Sequence, residues 1–188
     1  IRLGLVGSEM CIRDRSGEAS NLKVDISKFF DKTYTLEQGY VEGGDILRIN
    51  NHFIIGISGR TNETGAKNLS NIIEKNGGTS EIAITPENTL HFKSECSLLD
   101  EETILATDNL IKSDFFNKKY RIIKVPKGEE TGANCLRINE HLLIPKGYDR
   151  LLDLVSKDYK VRVLDVTEME KVDAGLSCLS LRLSLIHI

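Results

Sequence analysis

The sequence predicts an α/β fold built from repeats of one ββαβ module, set around an axis as in a propeller. Three observations carry this prediction. Two β-rich runs, a helical stretch and a third β-rich run follow one another in constant order, three times over. The residues at the mouths of successive first strands, Asp45, His91, Asn134 and Cys178, stand 46, 43 and 44 residues apart. A fixed period with one supersecondary unit per period marks a repeat architecture. Finally, the string Leu47-Arg48-Ile49-Asn50, with His52 two residues on, recurs as Leu136-Arg137-Ile138-Asn139 with His141.

The elements follow in order. Residues 46–49 and 53–57 read as a strand pair, with Asn50-Asn51-His52 as the hairpin signal. Within 61–78, Ala66, Leu69, Ile72 and Ile73 keep helical spacing, and Gly77-Gly78 ends the run. Residues 81–85 form the third strand, closed by Pro86. A second module comprises 94–99, 103–107, a helix over 109–118 and a strand over 121–125 before Pro126. A third comprises 134–138, 141–145, a helix over 147–157 and a strand over 160–166. A fourth opens with one strand over 177–183. His52 and His141 occupy equivalent hairpin positions and read as turn or surface residues. Module entrances in such an array converge, so residues one period apart can share a pocket.

The two ends differ from this pattern. Leu183–Ile188 can be back-translated so that the complementary strand, shifted by one base, encodes Met10-Cys11-Ile12-Arg13-Asp14. The shared element resembles a transposon adapter of sequencing libraries. Residues 1–15 and 183–188 are therefore expected to be adapter-derived, Met10 no start, and 16–182 a partial catalytic domain. On this expectation the chain holds three modules and one strand and is itself inactive.

Composition narrows the function. A net charge of −3 provides no electrostatic footprint for nucleic acid. No apolar run is long enough to span a membrane. Outside the first fifteen residues the cysteines are Cys96, Cys135 and Cys178, widely spaced and without a C-x-x-C pair. That pattern disfavours a zinc site or a disulfide framework and fits a reduced, cytoplasmic setting.

Three places could carry chemistry. Glu42-Gly43-Gly44-Asp45 is a charged lip whose glycines allow φ > 0 and close approach to a ligand. Its carboxylates suit a planar cation. By itself such a string also makes an ordinary turn. His91 opens a strand after a proline-bounded loop, and Cys178 lies among Leu and Ser. A structural histidine and a small core cysteine are the plain alternatives.

At these positions the sequence resembles the dimethylarginine dimethylaminohydrolases, a family within the guanidine-modifying (pentein) superfamily. The resemblance runs from about Gly17 to Leu181. Its motifs, in order, are EGGD, the G-x-S-x-R-T-N string with a following G-A, L-H-x-K-S, the A-N-C entrance, and E-x-E-K-V-D shortly before a cysteine. The resemblance implies a five-bladed α/β propeller and hydrolysis of Nω-methylated arginine to citrulline and dimethylamine through a covalent thiouronium on cysteine. It implies Cys178 as nucleophile, His91 as proton donor and then base, and Glu42 as partner of both guanidinium and His91. Asp45 would be a second substrate-binding carboxylate and Arg60 the clamp on the substrate's α-carboxylate. No metal or other cofactor is implied; the partner is a small molecule, with a homodimer admitted. Arginine deiminases of the superfamily carry an aspartate two residues after the histidine, where this chain has Lys93, which favours methylated arginine. Arginine deiminase, amidinotransferase and a non-catalytic propeller that binds a macromolecule stand as the alternatives.

Overall fold

The recurrent Leu-Arg-Ile-Asn string builds the same hairpin twice. Strand β3 (Ile46–Ile49) pairs antiparallel with β4 (His52–Ile57), Ile49 facing His52. Strand β9 (Leu136–Ile138) pairs in the same way with β10 (His141–Pro145), Ile138 facing His141. Each turn places its asparagine in the left-handed region, Asn50 at φ 55° and Asn139 at φ 54°, a conformation asparagine tolerates better than most residues. In both hairpins the arginine then secures the turn. Arg48 Nε donates to the Asn50 carbonyl at 2.8 Å and Arg137 Nε to the Asn139 carbonyl at 3.0 Å. His52 and His141 begin the second strand rather than occupy the turn.

These elements belong to a computed structural model that describes residues 3–5, 32–36, 38–113, 115–116 and 119–180. Each module is a three-stranded sheet with its second strand in the middle. In the first, helix α1 (Glu63–Lys75) connects β4 to β5 (Thr79–Ile84), and β4 and β5 are parallel. The Asn62 side chain caps α1 by accepting the Gly65 N–H at 2.8 Å, and Gly77 at φ 81° ends it. Ala66, Leu69 and Ile73 of α1 pack with Phe53, Ile55, Val41 and Leu36.

The second module runs β6 (Cys96–Leu98), β7 (Thr103–Ala106), α2 (Asp108–Lys112) and β8 (Arg121–Lys124). Its helix is shorter than the run 109–118 suggests. Ser113 ends it by turning its hydroxyl back to the Leu110 carbonyl at 2.6 Å, the local bonding that makes serine a helix terminator. The third module completes β9 and β10 with α3 (Asp149–Val155) and β11 (Lys160–Leu164), followed by a short α4 (Thr167–Glu170). One core joins the second and third modules, from Leu99 and Leu105 through Cys135 and Leu142 to Leu151 and Val155. The middle strands are the buried ones, as strands covered on both faces must be.

Leu3–Leu5 (β1) pairs parallel with Lys32–Tyr34 (β2), so part of the stretch expected to be adapter-derived forms a strand. Residues 6–31 and 181–188, which hold most of the remaining terminal expectations, lie outside the described residues. The fourth-module strand expected from residue 177 is not formed at its described end. Leu176–Leu179 make a turn, with the Cys178 N–H donating to the Gly175 carbonyl at 3.0 Å. The strand's other residues fall outside the described range. The chain divides into two units, one of residues 1–85, 90–92 and 183–188, the other of 86–89 and 93–182. Among the described residues no helix is long and apolar enough to cross a membrane.

Candidate active site

Three module mouths are built from short 3-10 turns placed ahead of the first strand: Gly43–Asp45, Phe92–Ser94 and Glu130–Ala133. In the first, the Asp45 N–H returns to the Glu42 carbonyl at 2.9 Å, so the chain reverses and Glu42 faces inward. Glu42 is buried, at 7% exposure. Its Oε2 lies 2.5 Å from His91 Nε2. The carboxylate oxygen and the imidazole nitrogen share one hydrogen bond. The other oxygen, Oε1, meets Arg60 Nη1 at 3.5 Å. Glu42 therefore joins a histidine and an arginine, and buried charges need such partners.

Gly44 makes the approach of His91 feasible. A Cβ at Gly44 would stand 2.6 Å from His91 Cγ and 2.7 Å from Cδ2, whereas one at Gly43 would meet nothing within 4 Å. Neither residue has positive φ. Gly44 thus serves proximity to the imidazole, and neither glycine supplies the left-handed backbone expected of the pair. A similar argument applies to Gly56 in the centre of β4, where a Cβ would stand 2.6 Å from Phe92 Cβ. Phe92, fully buried, anchors the backbone next to His91.

Asp45, expected to be a second substrate-binding carboxylate, has both oxygens turned to protein donors. It is 0% exposed. Oδ1 accepts the Phe92 N–H at 2.8 Å; Oδ2 accepts the hydroxyls of Ser58 at 2.8 Å and Thr61 at 2.6 Å. Arg60 is partly open, its side chain 38% exposed, on a turn closed by the Ser58 N–H to the Thr61 carbonyl at 3.0 Å. Glu42, Asp45, Arg60 and His91 all belong to the first unit.

Cys178 belongs to the second unit. It is exposed, whereas Cys96 and Cys135 are buried. Desolvation pushes the Cys135 thiol up to about 12 and the Cys96 thiol upward as well, so both stay protonated and inert at neutral pH. The turn carrying Cys178 is tied to the preceding mouth. Asn134 Oδ1 accepts the Ser177 N–H at 3.0 Å, and a Cβ on Gly175 would stand 2.3 Å from Asn134 Nδ2. A similar bond ties the third module to the second within that unit, the Cys135 N–H donating to Ser97 Oγ of β6 at 2.9 Å. The roles of Ser58, Thr61 and Asn134 escape a reading of the sequence. Their one signal there is the pair of hydroxyl residues that flanks Arg60. Among the described residues no group of three or more His, Cys, Asp or Glu could hold a metal ion.

Comparison with known proteins identifies relatives of this chain. The family model described as arginine deiminase matches residues 21–143. An N(G),N(G)-dimethylarginine dimethylaminohydrolase of Pseudomonas aeruginosa is 34% identical over 171 residues. The match takes in 89% of this chain and 66% of that relative, so the chain spans just under two thirds of the relative's length. Among solved structures, a cysteine-to-serine mutant of the Pseudomonas aeruginosa enzyme complexed with citrulline superposes with a TM-score of 0.90 at 32% identity, over 97% of this chain and 71% of the other. A histidine-to-glycine mutant of a dimethylarginine dimethylaminohydrolase, an adduct with S-methyl-L-thiocitrulline, has a TM-score of 0.85 at 33% identity, over 91% and 68%.

Proposed function

This chain belongs to the family that the arginine deiminase model describes, and from that membership we propose that the whole protein hydrolyses dimethylarginine to citrulline and dimethylamine. The observation that carries the proposal is the Glu42–His91 pair at 2.5 Å, held in a buried turn beside Arg60. Relatives whose structures hold citrulline or a thiocitrulline adduct support it.

Guanidinium resists attack because its charge is delocalised. In the proposed reaction Glu42 draws that charge toward the nitrogens while the Cys178 thiolate bonds to the central carbon. His91, its Nε2 engaged by Glu42, passes a proton from Nδ1 to the departing dimethylamine as the C–N bond breaks. The same nitrogen takes a proton from water as the oxygen adds to the thiouronium. Cleavage of the C–S bond releases citrulline and restores the thiolate, so one water is consumed per dimethylamine. Arg60 binds the substrate's α-carboxylate through its guanidinium fork, leaving Glu42 as it does so. No metal or organic cofactor enters the proposed reaction. The five-bladed propeller belongs to the same proposal, with the ββαβ modules as blades. It needs neither nucleic acid nor membrane and is compatible with a homodimer in a reducing, cytoplasmic setting.

Arginine deimination is the second reading, favoured by the description of the matching family model. Lys93, at the position where the deiminases carry aspartate, weighs against it. Citrulline formation from arginine, monomethylarginine and dimethylarginine, measured side by side, decides between them. Turnover of arginine equal to or above that of the methylated forms would replace the first reading with the second.

A further inference from the structure

We propose that Asp45 is a positioning residue that sets Glu42, Arg60 and His91 in one arrangement, acting through the hydroxyls of Ser58 and Thr61. The inference rests on the catalytic reading above for the meaning of those three residues, but its geometry is independent of any substrate.

Each of the three is one or two hydrogen bonds from the Asp45 carboxylate. The direct bond, from the Phe92 N–H to Oδ1 at 2.8 Å, fixes the peptide that follows His91. The second path runs through Thr61, whose hydroxyl donates to Oδ2 at 2.6 Å and accepts the Glu42 N–H at 3.0 Å. The third runs through Ser58, whose hydroxyl donates to the same Oδ2 at 2.8 Å and accepts the Arg60 N–H at 2.9 Å. Asp45 and Thr61 are both 0% exposed, so water does not compete for the bond between them, whereas the Ser58 bonds are part-buried.

The polarity of this network depends on the carboxylate. A hydroxyl has one proton and two lone pairs. Because Asp45 only accepts, both hydroxyls point their protons at it and present lone pairs to the Glu42 and Arg60 amides. An amide side chain in its place would offer Oδ2's two donors an N–H instead and compel them to turn. Holding a backbone N–H alone does not require charge. Ser97 holds Cys135 N and Asn134 holds Ser177 N with neutral groups, at 2.9 and 3.0 Å. At the Asp45 mouth alone among these three does the acceptor also orient two hydroxyls, and those two lead to Glu42, which pairs with His91, and to Arg60, which pairs with Glu42.

The paths separate, and this makes the proposal testable. In the whole protein, Ser58→Ala removes the acceptor for Arg60 and should raise KM for dimethylarginine about tenfold, the effect of losing roughly one hydrogen bond, with kcat within about twofold. Thr61→Val keeps the shape of the side chain but removes the acceptor for Glu42. It should lower kcat by about 10- to 100-fold, as expected for misplaced proton-transfer groups, and Thr61→Ser should recover most of that loss. Amide hydrogen exchange read without substrate should speed up at Arg60 in Ser58→Ala and at Glu42 in Thr61→Val. A purely structural role predicts lower melting temperatures with kcat and KM unaltered per folded molecule, and that result would overturn the proposal. So would Thr61→Ser no better than Thr61→Val, or exchange unchanged at both amides. If the parent protein turns over no guanidinium substrate, the catalytic reading fails while the exchange rates still judge the network.

Discussion

In the whole protein, alanine at Gly44 should disable turnover while leaving the fold intact. The added methyl would stand 2.6 Å from His91 Cγ, 2.7 Å from Cδ2 and 3.0 Å from Nδ1. Carbon atoms rest about 3.5–4.0 Å apart, so the imidazole must retreat by roughly 1 Å. Its bond to Glu42 begins at 2.5 Å. A retreat of that size stretches it to about 3.5 Å, beyond useful hydrogen-bond length. Misplacing a reacting group by about 1 Å can cost about 10²-fold in rate, equivalent to about 2.7 kcal/mol of transition-state stabilisation. Stability should suffer less than activity. Gly44 is not among the residues with positive φ, so alanine fits the backbone, and the crowded ring retains 15% exposure in which to yield. An overpacking cost of about 1–3 kcal/mol is the upper expectation. The control is Gly43→Ala, whose methyl meets nothing within 4 Å and should leave turnover within about twofold, as surface changes do. Citrulline formation under kcat/KM conditions, with thermal melting beside it, measures both effects. Gly44→Ala with kcat/KM like that of Gly43→Ala would refute the claim that this glycine exists to admit His91.

Three further outcomes follow from the same geometry. Cys178→Ser should abolish turnover, because an alkoxide is far harder to form than a thiolate, while Cys96→Ser and Cys135→Ser retain the chemistry; iodoacetamide near pH 7 should label Cys178 and spare the two buried thiols, and labelling of Cys135 in the folded protein would contradict its burial. Arg60→Lys should raise KM by about tenfold with little change in kcat, since an ammonium cannot reproduce a bidentate pair; a lower kcat at unchanged KM would exclude the clamp. Glu129 is desolvated, which raises its pKa, but the N–H groups of Leu151 and Arg150 and the Arg150 guanidinium outweigh this and hold it below the ordinary 4.5. Its contribution is therefore present above pH 4.5 and fades as pH falls through the lower folded value. Glu129→Gln should lower the melting temperature at pH 7 by the equivalent of about 1 kcal/mol, as for a lost helix cap, and the gap to wild type should close on acidification. A gap that stays constant with pH would show that the carboxylate's charge is irrelevant.

The modules were legible because their signals are local. A hairpin, a helix with its stop and a proline-closed strand are each written within about a dozen residues, and repetition of the order exposed the period. The Leu-Arg-Ile-Asn string encodes its hairpin completely, since Arg48 and Asn50 need only each other. Where local signals compete the boundary was lost. Ser113 shortened α2 through a side-chain bond that hydrophobic spacing does not register. Cys178 lies in a turn because the Ser177 N–H is drawn to Asn134, 43 residues earlier.

By itself, then, the sequence determined the ββαβ order, the period, and which residues stand at each mouth. Only the tertiary structure decided what those residues do there. The period placed Asp45 and His91 in register, and the family resemblance added Glu42 and Arg60, but neither showed how each side chain is enclosed. Asp45 has no exposure and turns both oxygens to Phe92, Ser58 and Thr61, while Glu42, two residues before Gly44, turns to His91. Two carboxylates three positions apart look alike in a sequence. Here they differ in surroundings: Asp45 has no exposed surface and accepts from three protein donors, while Glu42 faces His91 and Arg60.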